Sequence, residues 1–141
     1  MAFTASAGFD VDTLDALIKE QGNYTYGNSG NSDQINWMVT QVAMASKDDS
    51  ARGRIEQSLI DTLAAATTYD AKDLLCRQLR TIGSAKSVPV LAAMLTDAET
   101  SHLARHALGR IDAPEAGAAL QAAIERTNGK IQAGIINTLV K

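Results

Sequence analysis

The sequence predicts an all-α fold: an α-solenoid of about four antiparallel helix pairs stacked as a right-handed superhelix, with residues 1–141 forming one domain. Three observations predict it. Leu79 and Leu108, Ile82 and Ile111, Leu91 and Leu120, and Leu95 and Ile124 each stand 29 residues apart, and a fixed interval of this size marks a repeat architecture. Within each copy the apolar residues return at steps of three and four, the spacing of a helix face. Aromatics make up only 4% of the chain and there are two prolines, a composition suited to short, closely packed helices.

Taken in order, residues 1–9 are small and polar apart from two phenylalanines, and are expected to be loose. Asp10 or Asp12 caps a first helix that buries Leu14, Leu17 and Ile18 and ends at Gly22. Residues 22–33 are rich in Gly, Asn, Ser and Tyr, which is turn chemistry, with Tyr24 and Tyr26 expected to anchor the loop. Ser32 or Asp33 opens a second helix with Ile35, Met38, Val39 and Val42 on one stripe. Lys47 to Ser50 breaks it, and a third runs from about Ala51 to Thr67, burying Ile55, Leu59, Leu63 and Ala66. Arg52, Arg54, Glu56 and Asp61 read as its solvated face. Asp70 caps the fourth helix, Leu74, Leu75, Leu79 and Ile82 point inward, and Gly83 stops it.

The last four helices are read as 87–95, 100–111, 114–126 and 130–140. Pro89 and Pro114 sit near helix starts, where a missing amide hydrogen costs little. Thr96 to Ser101 supplies turn and N-cap oxygens, and Asn128-Gly129 turns the last corner. No pair can cover its own apolar side, so stacking on neighbours is expected to close the core. The end of the stack would then expose Ile131, Ile135, Ile136 and Leu139, an edge open to further repeats or to homodimerisation through the C-terminal pair.

The stretches Cys76-Arg77-Gln78-Leu79-Arg80-Thr81-Ile82-Gly83, Ser87-Val88-Pro89-Val90-Leu91, Leu95-Thr96-Asp97 and Ala104-Arg105-His106-Ala107-Leu108-Gly109 resemble HEAT repeats of the short bacterial, phycobilisome-lyase-like type. More narrowly, Ser101 to Arg105, Pro114 to Leu120 and Gly134 to Leu139 resemble the HEAT-repeat region of larger bacterial proteins, notably of planctomycetes. The resemblance covers roughly half the chain, chiefly after Asp70. It implies a curved scaffold that binds other macromolecules, with the second helix of each pair on the concave side, and it brings no catalytic residues. It also implies an alternative role as an accessory protein or subunit of a lyase-type, bilin-linked enzyme system.

Composition narrows the function. Thirteen basic against sixteen acidic side chains give a net charge of −3, which argues against nucleic acid as a partner, including a lesion-binding channel of the kind HEAT-like DNA glycosylases use. No apolar run approaches membrane-spanning length, so no membrane partner is expected. Residues 1–9 carry no signal-peptide pattern. The expected setting is cytoplasmic by default, or exported if the chain is a piece of a larger secreted protein. Cys76 is alone and reads as a small buried hydrophobe.

No Gly-rich phosphate loop or nucleophile elbow is present, so an enzyme is not expected, and no cofactor is implied. His102 and His106 stand four apart on one helix face but lack a local third ligand, so they read as exposed histidines and not as a metal site. The informative pattern lies across copies. At the shared interval Arg77, His106 and Asn137 fall on one line, Asp73 and His102 on a second, and Thr81, Arg110 and Lys141 on a third, with Arg80 and Arg105 as borders. These define a polar, mildly basic groove expected to meet an acidic or extended segment of another protein, because arginines offer forked donors to carboxylates.

Overall fold

The structure, a computed structural model, describes residues 10–27 and 32–140. Among them are eight α-helices and no strand: α1 (Val11–Lys19), α2 (Ser32–Ala45), α3 (Asp49–Ala64), α4 (Tyr69–Ile82), α5 (Val88–Ala92), α6 (Ser101–Leu108), α7 (Pro114–Ile124) and α8 (Gly129–Leu139). Short 3₁₀ turns occupy Glu20–Asn23 and Ala85–Ser87. The readings made for residues 1–9, for 28–31 of the first loop and for Lys141 lie outside the described residues.

Helix starts follow local chemistry. Asp10 caps α1, its carboxylate accepting from the Thr13 amide at 3.1 Å and the Thr13 hydroxyl at 2.6 Å. Asp48 caps α3 through the Ser50 amide at 3.0 Å. Pro89 and Pro114 lie in the first turns of α5 and α7, where no intrahelical donor is lost. Gly129 opens α8 at φ +58°, a conformation that glycine adopts without a Cβ clash.

Several boundaries depart from the sequence reading, α3 ending at Ala64 and not Thr67 and α7 at Ile124 and not 126. Thr68, not Asp70, caps α4: its hydroxyl accepts from the Ala71 amide at 3.1 Å, and the Asp70 carboxylate turns instead to the Tyr26 amide at 2.9 Å. Helix α5 ends at Ala92 and not Leu95, because the amides of Met94 and Leu95 tighten onto Leu91 and Ala92 one residue closer than an α-helix requires. The same tightening at Arg110 and Ile111 ends α6 at Leu108. Thr100 caps α6 by backbone position alone, since its hydroxyl donates back to the Met94 carbonyl at 3.2 Å.

The helices pack in two rows. α1 touches α3, α3 touches α5 and α5 touches α7; in the other row α2 touches α4, α4 touches α6 and α6 touches α8. Chain neighbours α1–α2, α3–α4, α5–α6 and α7–α8 bridge the rows. Buried apolar side chains from α1 to α8 join in one cluster. Of the eight residues that repeat at 29, seven are buried and Ile124 is partly so. Full burial of each such aliphatic side chain stabilises by about 1.5–3 kcal/mol. Val39 is the exception on α2, 41% exposed, while Met38, Val42 and Ala45 face the core.

Gly83 stops α4, but in an extended conformation (ψ 149°) and not a left-handed one. Its lack of a side chain serves close packing: a Cβ there would lie 2.5 Å from the Leu79 carbonyl and 2.9 Å from Ile111.

The polar face assigned to α3 is not solvated as a whole. Glu56 is only 2% exposed. Its carboxylate accepts from the Ser84 amide at 2.6 Å, the Ser84 hydroxyl at 2.8 Å and the Ser87 hydroxyl at 2.6 Å. Arg54 reaches Asp12 at 2.6 Å and Asp15 at 3.1 Å on α1, and Arg52 donates to the Ile82 carbonyl at 3.3 Å. Arg54, although ion-paired, and Asp61, which accepts from Gln57, keep the expected exposed role. At the C-terminal edge Ile135 is buried, Ile131 and Leu139 are partly covered, and Ile136 and Val140 are exposed.

Candidate functional site: two clefts beside α4

Helix spacing brings Tyr69, Asp73, Arg77 and Arg80 to one side of α4, because steps of four and three return to the same face. On α6 His102 and His106 do likewise. Since α4 and α6 are neighbours, the two faces meet around a cleft of about 400 Å³ lined by Tyr69, Asp73, Arg77, Arg80, His102 and His106 over a floor of Cys76, Leu103 and Ala107. Five of the eight groove residues read from the sequence therefore gather in one place.

Within the cleft, the Tyr69 hydroxyl and His102 Nε2 are hydrogen-bonded at 2.8 Å, and their rings lie 6.1 Å apart at 29°. His102 is thus half-buried and engaged, a correction to its reading as an exposed histidine. Arg77 Nε donates to Asp73 Oδ1 at 3.1 Å, one turn away. The Arg80 side chain makes no ion pair or hydrogen bond among the described residues. Burial, with the Asp73 charge adding to it, pushes the Cys76 thiol up to about 12, so the floor offers no thiolate at neutral pH.

A second cleft, about 460 Å³, opens on the other side of α4 towards α2 and the first loop. Tyr24, Tyr26, Ile35, Val39, Asp70 and Leu74 line it, and Asp73, Arg77 and Arg80 wall both clefts. Thr81, placed on the third groove line, belongs to this second cleft.

Three predicted groove residues lie elsewhere. Arg105 is one position before His106, a rotation of about 100° on a helix, and faces α8. Its guanidinium donates to the Gly134 carbonyl and the Thr138 hydroxyl, each at 3.4 Å. Arg110 and Asn137 are exposed but line neither cleft.

Tyr69, Tyr26 and Val39 went unassigned to the groove in the sequence. Tyr69 was findable, four residues before Asp73 on the same face. Tyr26 was not, because its place is set by the bond from its amide to Asp70, 44 residues away. Tyr24 anchors the loop as expected, its carbonyl accepting from the Thr68 hydroxyl, whereas the Tyr26 side chain is 86% exposed.

The arrangement offers a cationic ridge between two partly apolar clefts, with hydrogen-bonding groups on their walls. Among the described residues no three His, Cys, Asp or Glu side chains group as a metal site, and no helix is long and apolar enough to cross a membrane. No protein-family model matches the chain, and comparison with curated proteins and with solved structures gave no significant match.

Proposed function

We propose that this chain is a non-enzymatic interaction module of HEAT-like solenoid type, in which α2, α4, α6 and α8 form the concave, partner-binding row. The two-row packing of odd and even helices and the interval of 29 residues support the architecture. The observation that carries the binding role is the cleft between α4 and α6, where a free arginine, a paired arginine and two histidines stand beside the exposed ring of Tyr69. Such a surface suits a segment of another protein with acidic character, because Arg80 can donate two parallel hydrogen bonds to a carboxylate at the rim of an apolar floor.

The test is charge reversal in the pair Arg77→Glu and Arg80→Glu. The expected result is loss of the partner segment from pull-downs, with helical circular dichroism unchanged and with partner-induced amide protection on α4 and α6 abolished. Unchanged partners and unchanged protection in a folded double variant overturn the reading.

A further inference from the structure

We infer the ligand's pattern: a segment crossing α4 in a polyproline II-like conformation, with two apolar side chains three residues apart and an acidic residue between them. This rests on the peptide-binding reading above and adds the spacing. The observation behind it is that the two clefts are of similar size and are divided by one ridge, Asp73, Arg77 and Arg80, which walls both. A chain laid across α4 therefore meets a pocket, a cation and a second pocket in that order.

Each pocket has apolar surface to offer. Tyr69 is 45% exposed above Leu103 and Ala107 on one side, and Val39 is 41% exposed beside Ile35 on the other. On the ridge, Asp73 already holds Arg77, so Arg80 is the cation left for a ligand carboxylate.

The spacing follows from helix packing. Neighbouring helices lie about 8–10 Å apart, so pockets on either flank of one helix are separated by a similar distance. A β-strand returns a side chain to the same face after about 6.8 Å or, two steps on, about 13.5 Å, which falls short or overshoots. A polyproline II helix does so after three residues and about 9.3 Å. Aromatic walls, here Tyr69 and Tyr26, are the surfaces on which such chains dock.

The probe is the fluorescein-labelled peptide Ser-Pro-Leu-Glu-Pro-Leu-Pro-Ser, followed by anisotropy with the full chain. Three controls accompany it: Glu replaced by Gln, the two Leu residues brought to a spacing of two, and an acidic peptide of Glu, Pro and Ser without Leu. The expected result is saturable binding of the probe, weakened about tenfold or more by each control change. On the protein, Val39→Asp and Arg80→Glu should have the same effect as their matching peptide changes.

If the Leu-free acidic peptide binds as tightly as the probe and Arg80→Glu weakens both, the spacing is wrong and the acidic-peptide reading stands. If binding ignores the Leu spacing while still requiring Leu, the polyproline geometry is wrong. If no peptide binds the folded chain, both readings fall.

Discussion

Replacing Glu56 tests how neighbours within one row, α3 and α5, are locked together. Glu56 reaches from α3 to the turn ahead of α5 and takes up three donors: the Ser84 amide, the Ser84 hydroxyl and the Ser87 hydroxyl. Helix α5 is five residues long and has no side-chain cap of its own, and this carboxylate holds the turn that leads into it from another helix. In Glu56→Ala the Ser87 hydroxyl, fully buried, loses its acceptor, and the Ser84 amide loses its 2.6 Å partner. Each orphaned donor costs about 1–3 kcal/mol. Removing the buried carboxylate also removes its own desolvation cost, so the net loss is set at about 3 kcal/mol. For a chain of 141 residues that corresponds to a fall in Tm of about 10 °C. Glu56→Gln keeps one acceptor oxygen for the amide and Ser87, and should cost about 1 kcal/mol. Urea unfolding followed by circular dichroism measures both, and hydrogen exchange should show the loss concentrated at residues 84–91. A loss below about 0.5 kcal/mol for the alanine variant would refute the account of Glu56 as a buried clamp.

Other consequences are open to simple assays. Asp15 is held below the usual carboxylate range first by the Ser58 hydroxyl, which faces it outside strict hydrogen-bond geometry, and then by Lys19 and Arg54 against the opposing cost of burial. Asp10 and Asp48 are lowered by their caps, through Thr13 and Ser50. All three release protons more readily folded than unfolded, so their contribution is full above the ordinary value of 3.8 and is lost as pH falls through the lower folded values. The urea midpoint should hold near neutrality, fall between about pH 5 and 3, and fall less in Asp15→Asn; a flat profile in the wild type contradicts this. Cys76 should resist a thiol reagent such as dithionitrobenzoate at pH 8 until the chain is unfolded, and rapid native labelling would contradict its burial. Gly83→Ala should destabilise by about 1–3 kcal/mol through the clash with Leu79 and Ile111. Gly53→Ala, where a Cβ meets nothing within 4 Å in the middle of α3, should stabilise by about 0.5–1 kcal/mol; equal effects from the two would contradict the packing described around Gly83.

The all-helical fold was legible because it is carried by spacing within single helices. The inward stripes Leu14, Leu17, Ile18 and Leu74, Leu75, Leu79, Ile82 are buried as their periodicity requires, and both prolines mark helix starts. What went unread depends on partners distant in the chain. Glu56 looks solvated because a carboxylate on a helix is rarely buried unless it is paired, and its donors lie 28 and 31 residues ahead. Asp70 has the chemistry of a cap, yet Thr68 takes that place and leaves the carboxylate to the loop. At the site, the lines drawn from Asp73, Arg77, His102 and His106 converge because α4 and α6 are adjacent. Arg105 escaped because a border position on α6 belongs as much to α8 as to the groove.

The segment after α1 is stitched to the corner between α3 and α4 through its backbone: the Gly22 carbonyl takes the Thr67 amide at 2.8 Å, the Tyr24 carbonyl takes the Thr68 hydroxyl, and the Tyr26 amide gives to Asp70. None of these bonds uses a side chain of the segment itself. Its path is therefore indifferent to what residue 26 carries, and that position, standing at the lip of the second cleft, can exchange one side chain for another while its scaffold stays put. The shape of this lip can drift, or be engineered, without touching the foundations.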